Sequence, residues 1–175
     1  MRSGVGPSTI GSEGMHASNR RKFNLAQRFP WLTRLILSAA FSPLRGDPTR
    51  LPTQLSKIWQ QMPESDRKVL EDPVFSKDII DNTRDAIARQ VTGWVEEEVL
   101  MAAPWKFKLE EIHCSKVFLW HGALNKNVPL TMGKAVADHL DPCQSHFLEA
   151  EGHLSLLYNH GNEILDTLVK NAFKV

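Results

Sequence analysis

At 175 residues, with 42% hydrophobic and 23% charged residues, the chain is of one-domain size and carries the apolar material for a core. Its 21 basic and 20 acidic residues leave a net charge of +1, from which no strong electrostatic attraction to nucleic acid or to an anionic membrane is expected. The two cysteines, Cys114 and Cys143, are too few and too far apart for a disulfide framework or a cysteine-based zinc site, and read as buried, reduced thiols.

Residues 1–18 hold Gly4, Gly6, Pro7, Gly11 and Gly14 and read as a loop or frayed end. They offer no apolar stretch of the kind a secretory leader needs, so a cytoplasmic location is the expectation. Residues 19–103 read as a run of helices. Pro30 precedes Trp31, Leu32, Leu35, Ile36 and Ala39, an apolar face of period 3.6. The stretch from Trp31 to Phe41 carries Arg34 and falls short of the ~20 apolar residues of a membrane span, so no membrane partner is expected. Pro43, Pro48 and Pro52 should break the chain. Leu55, Ile58, Trp59 and Met62 form a second stripe, closed by Pro63. Trp31, Leu35, Trp59 and Met62 together read as core rather than as a substrate pocket. After a turn at Asp72-Pro73, Ile79, Thr83, Ile87, Val91, Val95 and Val99 recur every four residues, which predicts a long amphipathic helix ended by Pro104.

The style of the sequence then changes. Val117-Phe118-Leu119-Trp120 is a continuous apolar run before His121-Gly122, the pattern of a strand buried in a parallel sheet. Met132, Ala135, Val136, His139 and Leu140 make a helical face, Ser145 to Ala150 reads as a second strand, and Ile164, Leu165, Leu168, Val169 and Ala172 mark a last helix. The fold class is α/β: a helical segment followed by a short parallel βαβα unit. Chemistry in such sheets gathers at the carboxyl ends of the strands. Two loops lie there, His121 to Pro129 and Glu149 to Leu157, so Asn125 and His153 are placed to meet. Of the other candidates, His121 reads as structural, His139 and His160 as solvated or capping groups, and Glu149 and Glu151 as a solvated loop. His113 beside Cys114 cannot complete a metal site, and no metal or cofactor is expected.

Trp120-His121-Gly122, Val128-Pro129 and Gly152-His153-Leu154 resemble the C-terminal third of an α/β-hydrolase-fold enzyme. The run Pro104 to Leu109 with Ile112 is similar to that family's approach to its penultimate main strand. The resemblance implies a partial α/β-hydrolase fold: an N-terminal segment at 1–18, a helical cap or lid at 19–103, and the C-terminal part of the core at 104–175. Gly6-Pro7 would mark the exit of the strand before the cap. The resemblance further implies that His153 stands at the position of the catalytic base and residue 125 at that of the acid.

Two departures qualify what that implies. The acid position holds Asn125, which carries no charge and can favour the wrong imidazole tautomer; the analogous exchange in another triad lowers the rate by about 10⁴. No Gly-x-Ser-x-Gly elbow occurs in the chain. Gly6-Pro7-Ser8-Thr9-Ile10-Gly11 has its second glycine one residue too late and lacks the strand-turn-helix setting, so Ser8 is not read as a nucleophile. The expectation is therefore a hydrolase-related protein, cleaving ester, amide or similar bonds by resemblance, without catalytic competence as this chain alone. Its expected partners are a complementary N-terminal hydrolase chain or a second copy paired through the sheet edge. The alternatives are a non-catalytic binding module and a truncated pseudoenzyme.

Overall fold

The computed structural model describes residues 11–89 and 92–172. Gly4, Gly6, Pro7, Ser8 and Val91, which entered the sequence reading, lie outside them. The molecule is mixed α/β, mostly helical, with one small parallel sheet. Its first part runs through α1 (Ala17–Arg28), α2 (Pro30–Gly46), a 3-10 turn (Pro48–Arg50), α3 (Leu51–Trp59), α4 (Glu64–Val69), α5 (Pro73–Arg89) and α6 (Thr92–Ala102). Two apolar clusters hold these helices together, α4 excepted. Leu44, Leu51, Ile87 and Val95 form one, with Leu37, Phe41, Leu55 and Ile80 against it; Phe23, Ala26, Val99 and Ala102 form the other. Of the stripe predicted for one long helix, Ile87, Val95 and Val99 are core, carried by α5 and α6.

The prolines act at helix starts more than as breaks. Pro30 and Pro52 occupy the first turns of α2 and α3, and Pro73 opens α5, positions whose N–H has no helical partner in any case. Asp72 completes that last start by accepting from Val74 N at 2.8 Å. Pro43 departs from expectation: α2 continues through it to Gly46.

A second correction concerns which face of α2 is buried. The predicted face of Trp31, Leu35 and Ile36 points to solvent, with Trp31 64% exposed. The buried stripe is Thr33, Leu37, Phe41 and Leu44, against α1 and α6. The sequence Trp31 to Phe41 is apolar nearly all round, so periodicity alone allows either face, and the neighbouring helices choose. Thr33 can be buried because its hydroxyl donates to Phe29 O at 3.3 Å. Ile58 of the second predicted stripe is likewise exposed.

The second part contains a 3-10 turn (Leu109–Glu111), β1 (Val117–Gly122), α7 (Leu130–Asp138), β2 (Cys143–Leu148) and α8 (Ser155–Ala172). The strands pair in parallel, Val117 opposite Cys143 through Gly122 opposite Leu148, joined through α7 as the sequence predicts. β2 starts and ends two residues earlier than expected. Gly133 lets α7 lie directly on the sheet, since a Cβ there would stand 2.8 Å from the His121 ring. The cysteines are free, but only partly in the expected environment: Cys114 is exposed in the loop before β1, and Cys143 is half-buried. Among the described residues no group of side chains could hold a metal ion, and no helix is long and apolar enough to cross a membrane.

Candidate functional site at the carboxyl ends of the strands

The two loops leaving β1 and β2 are stitched together by backbone hydrogen bonds. Ala123 N donates to Leu148 O and Leu124 N to Glu151 O, both at 2.9 Å. Gly122 makes that approach possible, because the carbonyl oxygens of Glu151 and Gly152 fill the space a Cβ would occupy. Asn125 and His153 are brought together as expected, with Asn125 Nδ2 3.2 Å from His153 Nδ1.

The network around Asn125 decides the chemistry of that contact. Its Oδ1 accepts from Asn127 N at 2.9 Å and from Val128 N at 3.0 Å, an Asx arrangement that shapes the loop. Turning the amide over would set an NH2 against two N–H donors, so the NH2 must face the histidine. His153 Nδ1 therefore accepts, and the ring's proton resides on Nε2. This is the reverse of the triad arrangement, in which the acid accepts from Nδ1–H and leaves the Nε2 lone pair free to take a proton. Asn125 is only 7% exposed, so its amide is a fixed part of the site. His153 keeps one side to solvent, while the protein packed around it lowers its pKa by desolvation, with an opposing contribution from Asp66. Both effects of the site, neutral ring and Nε2–H tautomer, leave His153 a hydrogen-bond donor at Nε2.

The loops are braced from the helical segment. His16 N donates to Lys126 O at 2.9 Å, and Asn19 Nδ2 to Asn127 Oδ1 at 2.8 Å, which ties the start of α1 to the Asn125 loop. Asp66, on α4, reaches the histidine loop. Its carboxylate, 1% exposed, accepts from His153 N at 2.9 Å, Leu154 N at 2.8 Å and Ser155 N at 2.9 Å. The last two are orphan donors at the start of α8, and a carboxylate there also complements the helix dipole. Sequence reasoning missed Asp66 altogether. Its partners lie 87 to 89 residues away, and its only local signal is that of an acidic residue in a first helical turn.

Glu151 and His160 depart from their sequence reading, and His121 agrees with it. Glu151, expected in a solvated loop, is 8% exposed and receives Asn159 Nδ2 and His160 Nε2, each at 3.2 Å. Burial pushes its carboxyl up, but hydrogen bonds from Ser155, Asn159 and His160 outweigh this and hold it below the ordinary value. His160 bridges Glu151 and Glu163, which raises its pKa; it is neither simply solvated nor capping. His121 is structural, as expected: buried, with Nε2 3.0 Å from Val128 O, and held low by desolvation. His139 back-bonds to Ala135 O at 2.7 Å at the end of α7. Asp138 and Asp141 are exposed near the amino end of β2, the wrong edge of the sheet to reach His153.

Two open clefts flank the loops and share Leu124. One, of about 590 Å³, lies between Lys68, Glu151 and Tyr158; the other, of about 410 Å³, between His16, Met62 and Lys126. Neither is lined by Asn125 or His153.

The chain matches no protein-family model, no curated protein and no solved structure. What the fold establishes is its class: a mostly helical α/β protein with a two-stranded parallel sheet.

Proposed function

We propose that this chain is a hydrolase-related protein built as the cap and C-terminal core of an α/β-hydrolase fold, and that it does not hydrolyse esters or amides by itself. The observation that carries the reading is the 3.2 Å contact between Asn125 and His153 at the tips of two adjacent parallel strands. This is where the family resemblance puts the acid and the base. The same contact supports the absence of turnover. A general base needs a free Nε2 lone pair and a nucleophile within hydrogen-bond reach. The neutral His153 has its lone pair committed to Asn125, and the chain holds no Gly-x-Ser-x-Gly elbow.

Assay of ester hydrolysis by the purified chain is expected to show no turnover above buffer. Turnover abolished both by His153→Ala and by a serine-directed inhibitor would overturn the proposal. In the Asn125→Asp variant, one carboxylate oxygen keeps the two backbone donors and the other accepts from the ring. The proton should then move to Nδ1 and the His153 pKa should rise, as read from ¹⁵N imidazole spectra across a pH titration. An unchanged tautomer would sink the assignment of 125 and 153 as acid and base positions.

A second reading, a non-catalytic interaction module, is favoured by the unfinished state of the sheet. Among the described residues β1 pairs with β2 alone, and the buried ring nitrogens Trp120 Nε1 and His146 Nε2 have no hydrogen-bond partner. Along α8, Leu157, Leu165, Leu168 and Val169 are exposed. A complementary chain with a strand for that edge, or a second copy, would complete the sheet.

A further inference from the structure

We propose that Asp66 is a positioning residue for His153: one carboxylate from the helical segment sets where the imidazole stands. The inference rests on the reading of residue 153 as the base position and deepens it. Three consecutive backbone donors, His153 N, Leu154 N and Ser155 N, converge on Asp66 at 2.8 to 2.9 Å. Asp66 forms no ion pair among the described residues, so these donors and the start of the 18-residue helix α8 are what hold its buried charge. Gly152 closes the arrangement. The Asp66 carboxylate sits where a Cβ of residue 152 would be, so the chain just before His153 lies directly against it.

The consequence for the ring is geometric. With both its own N–H and that of Leu154 tied to Asp66, His153 has little backbone freedom, and its side chain leaves the loop in the direction of Asn125. The strands bring the two loops to the same edge, but nothing in β2 itself fixes the orientation of residue 153, which lies five residues beyond Leu148. The Asp66 charge also opposes the desolvation of the imidazole. A second tie joins the same two parts of the molecule: Tyr158 Oη donates to Asp72 Oδ2 at 2.7 Å, away from the histidine. It separates a positioning role from a general fastening of α8.

The test is ¹⁵N imidazole NMR on the full chain. Wild type is expected to give one His153 tautomer, protonated at Nε2. An amide at 66 has a single acceptor oxygen and must set its NH2 against at least one of the three N–H groups. Asp66→Asn is therefore expected to give mixed tautomers and loss of the Asn125–His153 contact, whereas Tyr158→Phe leaves the spectrum unchanged. Wild-type spectra from Asp66→Asn, or an equal change from Tyr158→Phe, would overturn the inference. Should Asp66→Asn fail to fold, scalar couplings across the hydrogen bonds from the amides of 153, 154 and 155 to Asp66 Cγ in the wild-type chain decide it: their presence supports the clamp, and their absence overturns it. A wild-type ring protonated at Nδ1 would instead defeat the functional reading, while the couplings would still judge the clamp.

Discussion

Asparagine and aspartate differ by one group, and at position 125 that difference sets the chemistry of the site. Both can accept two backbone N–H bonds with one oxygen and keep the loop; only the second group changes, from an acceptor to a donor. The loop is therefore indifferent to the exchange while the histidine is not. A similar economy holds at His160, which stands between two carboxylates. Its folded-state pKa is raised above the ordinary 6.5, first through the hydrogen bond to Glu163 and then, against some desolvation, through Glu151. A raised histidine contributes stability that is fully present below 6.5 and is lost as pH rises through the folded value. Glu151, held below its ordinary 4.5, contributes above that value and loses the contribution as pH falls through its lower folded pKa. The cluster is thus most effective between the two, at mildly acid pH. Thermal melts of His160→Gln should show the largest loss of Tm near pH 5.5 and a shrinking one towards pH 8. A loss that grows with pH would reverse the sign and refute the assignment. His121 and His153 act the other way, since both are held low, first by burial, and favour the unfolded chain as pH falls below 6.5.

At the level of elements, glycines let the strand-end loops approach each other and α4. Gly122 lies against the carbonyls of Glu151 and Gly152, backbone that cannot swing aside, and Gly152 lies against the Asp66 side chain. A methyl at either position is excluded, but the neighbours differ in what they can yield. Gly122→Ala should cost about 3 kcal/mol, at the upper end of overpacking penalties, because the loops must part. Gly152→Ala should cost about as much or more, because it displaces a buried carboxylate from three donors. Chemical denaturation of both variants checks this; a loss under about 0.5 kcal/mol at Gly122, the scale of an ordinary surface change, would contradict the packing described. The strands, their parallel pairing and the Asn125–His153 juxtaposition were legible from the apolar run at Val117 to Trp120 and the two strand-end loops. α4 was not, because its six residues are too few for a period and its one decisive side chain acts across 87 residues. The buried face of α2 was misread for the opposite reason: its apolar residues surround the helix, so no polar side marks the outside.

For the molecule as a whole, the apolar surface left uncovered is the main feature. Trp31 and Leu35 on α2, and Leu157, Leu165, Leu168 and Val169 on α8, are all exposed. Leu165, Leu168 and Val169 lie three and four residues apart and so share one face of α8, and a grouped apolar face of this kind marks a surface that meets another chain. Light scattering is expected to find the chain self-associated at micromolar concentration, and Leu165→Asp with Val169→Asp to shift it towards monomer without loss of folded stability, since neither side chain contributes to the core clusters. A clean monomer for wild type would remove the support for the interaction-module reading.

The sequence by itself determined which chemical groups exist here: a histidine after the second strand, an amide after the first, no Gly-x-Ser-x-Gly segment and no cysteine pair in C-x-x-C spacing. It also determined that a parallel strand pair would carry them, because period and apolar runs are local properties of a chain. Only the tertiary structure decided the tautomer of His153, which depends on two backbone N–H groups claiming the other end of Asn125. Only it showed that a carboxylate on α4 holds the histidine loop, since a buried charge finds its donors in space and not along the chain.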